Sequence, residues 1–182
     1  MAIKATIYKA ELSVSDMDRH HYQTYNLTLA QHPSETTERM MVRIAAFVLN
    51  ASESLEFTKG LSTDDEPDLW QKSLSDEIEL WIELGCPDEK RLRKACSRSR
   101  QVILYGYHGN AFDIWWQQNQ QKCSRFDNLA VIALNPTAIE QLDTLAQRTM
   151  RLQASIQDAT LWLGNTDRSI EIQPTVLQAA KH

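Results

Sequence analysis

Asp68 and Glu83 are the two side chains whose type and setting point most directly to hydrolytic chemistry. Asp68 follows Pro67, which fixes φ, lacks an N–H and favours the first or edge position of a strand, so the carboxylate stands at a strand entrance. In the segment from Ile78 to Gly85, period-two geometry puts Ile78, Leu80, Ile82 and Leu84 on one face and Glu79, Trp81 and Glu83 on the other. An apolar inside and an acidic outside account for Glu79. Glu83 is different, because it stands beside Gly85 and the helix start Pro87-Asp88, at a strand end where functional groups gather. At about 3.3 Å per residue the two glutamates are about 13 Å apart, too far to share one ion. If the strands carrying Asp68 and Glu83 pair, those two carboxylates converge, and their repulsion would raise one pKa. A divalent cation would relieve it. Oxygen-only ligands suit Mg²⁺ or Mn²⁺, which can orient a phosphate and activate water for phosphodiester hydrolysis.

Lys59 shares a strand face with Leu55, Phe57 and Leu61, an apolar row in which an ammonium must either snorkel to water or find a carboxylate. Asn119 sits on a helical face with Phe112, Trp115, Trp116 and Cys123 and needs hydrogen-bond partners if buried. Acids crowd the stretch from Asp64 to Glu83, and a basic cluster follows at once (Lys90, Arg91, Arg93, Lys94, Arg98, Arg100). Two solvated faces would explain that pattern. A basic helix flank of Lys90, Arg91, Lys94 and Arg98 set against nucleic-acid phosphates would explain it too. The formal charge of −5 argues against coating nucleic acid through bulk charge alone. The histidines show no metal-ligand spacing, no Ser/His/Asp or Cys/His group stands out, and no glycine-rich loop precedes a helix.

The elements that must position these residues read as follows. Ile3 to Val14 and Tyr22 to Ala30 form a β-hairpin. His32-Pro33-Ser34 stops it and supplies an N-cap at Ser34 for a helix over about 35–51, with Met40, Met41, Ile44, Ala45 and Val48 as its buried stripe and Glu38 on the stripe's edge. Leu55 to Leu61, Asp68 to Lys72 and Ile78 to Leu84 make an antiparallel meander. A second helix starts at Pro87-Asp88. Val102 to Tyr107 and Leu129 to Leu134 are strands covered on both sides, and with the helix Asn110 to Lys122 between them they form a βαβ unit. Thr137 to Glu140 reads as a capping box opening a helix through Gln147, and Arg151 to Gln157, Thr160 to Leu163 and Ser169 to Gln173 as closing strands. A second β layer is expected to join the two chain ends.

A hydrophobic content of 42% with 24% charged residues over 182 residues predicts one folded α/β domain spanning 1–182. No apolar run approaches the roughly 20 residues that span a bilayer, and Lys4 and Lys9 interrupt the start, so a cytoplasmic protein away from membranes is expected. Cys86, Cys96 and Cys123 are read as reduced, structural and buried.

Several segments resemble the YaeQ family: His32-Pro-Ser-Glu-Thr-Thr-Glu-Arg-Met-Met41, Phe57-Thr-Lys-Gly-Leu61, Asp64-Asp-Glu-Pro-Asp-Leu-Trp70, Leu80-Trp-Ile-Glu-Leu-Gly85, Ile114-Trp-Trp-Gln-Gln-Asn119 and the run from Arg148 to Asp158. The likeness covers nearly the whole chain. It implies a fold similar to the PD-(D/E)xK nuclease superfamily: a mixed central sheet flanked by helices, a restriction-endonuclease-like α-β-β-β-α-β core, and extra N- and C-terminal strands. Pro67-Asp68 looks like the first half of the nuclease motif, Glu83 like its second acid, and Glu38 like the additional acid that some members place on the first helix as an outer metal ligand. Gly85 stands where the motif has its lysine, a departure for which Lys59 is the first substitute, ahead of Lys72 or a basic side chain of the second helix. The resemblance thus implies a metal-dependent phosphodiesterase or nuclease acting on nucleic acid, with a non-catalytic nucleic-acid- or protein-binding regulatory module as the alternative.

Overall fold

In a computed structural model, residues 4–58 and 65–181 are described. The chain folds as two compact units, Met1–Ala51 with Thr137–Pro174, and Ser52–Pro136 with Thr175–His182.

The first unit is built on a hairpin of β1 (Thr6–Asp16) and β2 (His21–Gln31). β8 (Thr149–Gln157) pairs in parallel with β1, and β9 (Thr160–Gly164) and β10 (Ser169–Ile172) follow antiparallel, giving the order β10-β9-β8-β1-β2. This is the second β layer expected from the chain ends. Asp158 and Ala159 between β8 and β9 both have positive φ, 52° and 62°, in a turn that usually takes Asn-Gly. The carboxylate of Asp18 holds it, accepting the N–H of Asp158 at 2.9 Å and of Ala159 at 2.8 Å.

α1 (Thr37–Leu49) belongs to the same unit, and its Phe47 packs edge-on against Tyr25 of β2 at 5.0 Å. Thr36 caps it, accepting the Arg39 N–H at 3.1 Å, so the expected cap at Ser34 is displaced by two residues. Every residue from Met40 to Val48 is buried, so the helix is enclosed on all sides and not along one stripe. That enclosure includes a charge. Arg43 forks onto Glu35, Nη2 to Oε1 at 2.7 Å and Nε to Oε2 at 3.1 Å, while Arg39 reaches Oε2 at 2.9 Å and Arg43 Nη2 also donates to the Ala30 carbonyl at 3.0 Å.

The second unit carries a six-stranded mixed sheet. β3 (Leu55–Phe57), β4 (Leu69–Lys72) and β5 (Ile78–Leu84) form the antiparallel meander, and β5, β6 (Ser99–Gly106) and β7 (Leu129–Leu134) run parallel. β11 (Pro174–Gln178), a short strand that the sequence pattern did not suggest, joins the edge beside β7. α2 (Glu89–Arg98) and α3 (Asn110–Cys123) cover one face, where Leu92, Ala95, Phe112 and Cys123 pack with Trp81, Val102, Leu104, Leu129 and Val131. α4 (Pro136–Leu142), which belongs to the first unit from Thr137 on, begins with Pro136 at a first-turn position that needs no N–H, so Thr137 lies inside the helix and the expected capping box is not its start. The helix then tightens into a 3-10 turn, Asp143–Leu145, instead of running to Gln147. The chain is thus a mixed α/β fold with two mixed sheets and four α-helices among the described residues.

Candidate functional site

β4 and β5 pair with Leu69 opposite Ile82 and Trp70 opposite Trp81, and the Asp68 N–H donates to the Ile82 carbonyl at 3.1 Å. That register brings Asp68 level with Glu83. Both are buried, at 3% and 4% exposure, so the outer face of β5 is outside only at its beginning and is covered by its end. Asp68 Oδ2 accepts the Leu84 N–H at 3.1 Å, which ties the carboxylate of one strand to the backbone of the next. Asp68 also raises the pKa of Glu83: burial pushes the Glu83 carboxyl above the usual range first, and the neighbouring negative charge adds to it.

Glu83 is compensated from the helix. Arg91 forks onto it, Nε bonding Oε2 and Nη2 reaching Oε1 at 3.2 Å, and the Trp81 indole N–H donates to Oε1 at 3.1 Å. Arg91 Nη2 also donates to the Glu66 carbonyl at 2.9 Å. The local cause is the helix start: Asp88 caps α2 by accepting the Arg91 N–H at 2.8 Å, which sets Arg91 in the first turn, beside the end of β5. Between them Gly85 has φ +100°, a conformation that a lysine would adopt only under strain, and its N–H bonds the Tyr105 carbonyl at 3.0 Å.

The remaining basic residues of α2 have varied surroundings. Lys94 Nζ bonds Asp65 Oδ1, Arg98 Nη1 donates to the Asp65 carbonyl at 2.9 Å, and the Arg98 guanidinium lies 5.7 Å from the centre of the Trp81 ring. Lys94 first, then Arg98, hold the Asp65 carboxyl below its ordinary range. Lys90 is exposed. A pocket of about 330 Å³ opens here, lined by Asp88, Lys90, Arg91 and Lys94.

Glu38 belongs to the first unit, half-buried in the first turn of α1. Lys59 lies outside the described residues. Lys72 sits 4.0 Å from the centre of the Trp70 ring, a cation–π contact on β4. Asn119 solves its own problem locally, donating to the Trp115 carbonyl one turn back at 2.8 Å. Burial pushes the thiols of Cys96 and Cys123 up to about 12 and about 11, whereas Cys86 is exposed, contrary to the expectation for all three. Among the described residues no group of three or more His, Cys, Asp or Glu side chains comes together to hold a metal ion. The donor chemistry of Asp68 and Glu83 suits Mg²⁺ or Mn²⁺, but Arg91 holds both Glu83 oxygens, so a cation fits only with the guanidinium displaced. No helix among the described residues is long and apolar enough to cross a membrane.

Comparison with known proteins gives a consistent result. The family model described as "YaeQ protein" matches residues 1–174. The chain is 51% identical over 178 residues to the uncharacterized protein YaeQ of Salmonella typhi and 49% identical to that of Escherichia coli K12, in each case across 98% of both chains. A crystal structure of the YaeQ protein from Xanthomonas axonopodis pv. citri superposes with a TM-score of 0.93 at 50% identity, covering 96% of this chain and 99% of that one. The YaeQ protein from Pseudomonas syringae superposes with 0.92 at 33% identity, covering 98% of each chain.

Proposed function

We propose, from the premise that this chain belongs to the YaeQ family, that it is a nuclease-like protein whose acidic centre at Asp68 and Glu83 acts on the phosphodiester backbone of nucleic acid. The observation that carries this reading is the convergence of two buried carboxylates beside a pocket lined by Lys90, Arg91 and Lys94 and by the single acid Asp88. Buried acids that repel each other are retained where charge must be handled, and a cationic pocket at their side suits a phosphate. The element order α1-β3-β4-β5-α2-β6 also supports a restriction-endonuclease-like core.

In this reading Asp68 and Glu83 would hold Mg²⁺ or Mn²⁺, and Lys90, Arg91, Lys94 and Arg98 meet the phosphates. The cation would supply an activated water and charge neutralisation at the scissile phosphate. Lys59 remains the proposed counterpart of the motif's lysine, and Arg91 is the alternative, since its guanidinium touches Glu83. The reaction belongs to the cytoplasm, where nucleic acid is at hand.

The test is a Mg²⁺- and Mn²⁺-dependent cleavage screen on diverse DNA and RNA, with Asp68→Asn and Glu83→Gln as controls and Lys59→Met as the probe of the lysine. Cleavage abolished in both acid variants is expected; cleavage that persists in both folded variants ends the proposal. A non-catalytic nucleic-acid- or protein-binding module is the second reading, favoured by the engagement of Arg91 with Glu83 and of Lys94 and Arg98 with Asp65. Nucleic-acid or protein binding without cleavage at any metal concentration would select it.

A further inference from the structure

β2 is an edge of the five-stranded sheet, and the direction of its backbone groups follows from the register. The Lys9 N–H donates to the Arg148 carbonyl beside β8 at 2.9 Å, so Lys9 turns its backbone groups away from Thr28, its partner across the hairpin. In an antiparallel pair the residue opposite then turns outward too. The register runs unbroken from Thr6 to Asp16, which points the N–H and C=O groups of Tyr22, Thr24, Asn26, Thr28 and Ala30 to the far side of β2. As that parity requires, the Ala30 carbonyl accepts from Arg43 Nη2 at 3.0 Å. At the other four residues these groups meet no partner among the described residues.

Sheet edges are ordinarily blunted by short length, proline, charge or a bulge. β10 has 4 residues and carries Glu171 close to Arg168, β11 has 5 and opens with Pro174, and β3 has 3. β2 has 11 residues, with no proline, no Lys, Arg, Asp or Glu, and no bulge. Tyr22, at 61% exposure, stands open to solvent with Thr24 and Asn26.

We propose that the β2 edge is a homodimer interface, in which β2 of one copy pairs antiparallel with β2 of a second copy about a twofold axis at Tyr25. That centre sets Thr24 opposite Asn26 of the second copy and Tyr22 opposite Thr28, so every outward N–H and C=O of the four residues finds its complement. A second copy fits because the edge is uncharged along its length, and self-pairing therefore brings no like charges together. It also places an aromatic ring beside a β-branched side chain, and an amide beside a hydroxyl. The pairing uses up both β2 edges and leaves the short, charged β10 strands at the ends, which closes the assembly at two copies. The interface belongs to the first unit and does not depend on the phosphodiester reading.

Sedimentation velocity of the full chain over a concentration series, with amide hydrogen exchange read by NMR at both ends of the series, tests the pairing. The wild type is expected to dimerise, and the amides of Tyr22, Thr24, Asn26 and Thr28 to gain protection as the dimer forms. Thr24→Lys/Asn26→Lys sets lysine opposite lysine across the axis and is expected to weaken the dimer at least about tenfold. Thr24→Lys/Asn26→Glu sets lysine opposite glutamate and is expected to restore it. The wild-type exchange data decide alone should the variants fail to fold. A wild type that stays monomeric to about 1 mM overturns the proposal and leaves the edge to a strand of another protein. A dimer in which the four amides stay unprotected overturns it as well. So does a lysine-pair variant that dimerises like the wild type, or a lysine–glutamate variant that dimerises no better than the lysine pair.

Discussion

Each compact unit holds an arginine–glutamate fork, and the two are built for different ends. In the first unit Arg43 is 2% exposed and Glu35 is 3% exposed at their side chains, Arg39 adds a second cation, and the Ala30 carbonyl takes a further N–H. In the second unit Glu83 is equally buried but Arg91 is not, and Asp68 stands beside the acid where the first fork has an extra cation. One fork has surplus positive charge and no solvent; the other has surplus negative charge and a pocket. A sealed pair gives specificity of packing, whereas a pair with one movable partner can change its partner.

The largest expected effect belongs to the sealed fork. Arg43→Met should destabilise the protein by about 3–5 kcal/mol in chemical denaturation, because Glu35 is left in a buried site with only Arg39 to meet it. A loss under about 1 kcal/mol would erase the distinction between the forks. Arg91→Gln should cost less, about 1–3 kcal/mol by the same measurement, since water reaches the vacated position.

The pH dependence of that second variant sharpens the comparison. Burial and the charge of Asp68 raise the Glu83 pKa, so the native state holds a proton that the unfolded chain gives up. The resulting stabilisation is fully present below the ordinary glutamate range and is lost as pH rises through the raised native value. Without Arg91 the native value climbs further, so stability in Arg91→Gln should fall with pH over a wider window. Carboxyl NMR titration of Glu83 reads the pKa directly, and an unmoved value would show that Arg91 contributes nothing to it.

At the same strand end, Gly85→Ala should cost about 1–3 kcal/mol in thermal unfolding, from φ +100° alone, since the space around a Cβ there is open. The smallest effect is expected from Asp65→Asn. Lys94 and Arg98 depress the Asp65 pKa, so its contribution is present above the unfolded value and is lost as pH falls through the folded one. Full exposure leaves it open to screening, and the difference in unfolding midpoint from wild type should vanish in high salt. A difference that survives salt would mean that the acidic strand entrance is held more firmly than a surface pair can hold it.

Most of the fold was legible because period and punctuation agree along much of the chain. The hairpin, the meander, the βαβ unit and the closing strands all carry alternation or apolar runs bounded by turns. β11 escaped because Pro174-Thr-Val-Leu-Gln178 has neither, and its place is set by the edge it completes. The full enclosure of α1 escaped because Arg43 reads as solvent-facing until Glu35 is seen beside it. The segments of the two compact units alternate along the chain, so no linker marks the passage from one to the other. At the site, the convergence of Asp68 and Glu83 followed from strand pairing. The partner of Glu83 did not, because a basic helix flank looks the same whether its cations face water or a buried acid eight residues back.

The parallel pairing of β1 with β8 also bears on how the protein is made. Asp18 holds the N–H of Asp158, 140 residues further along the chain, and the rung from Lys9 to Thr149 spans a similar distance. The N-terminal hairpin therefore leaves the ribosome long before the strand that covers its edge has been synthesised. The second unit's sheet, apart from β11, is complete by Leu134, so it can consolidate while the first still waits. Contacts that distant slow the closure of a sheet, so the edge of β1 that β8 later covers is one that a growing chain leaves unpaired during synthesis.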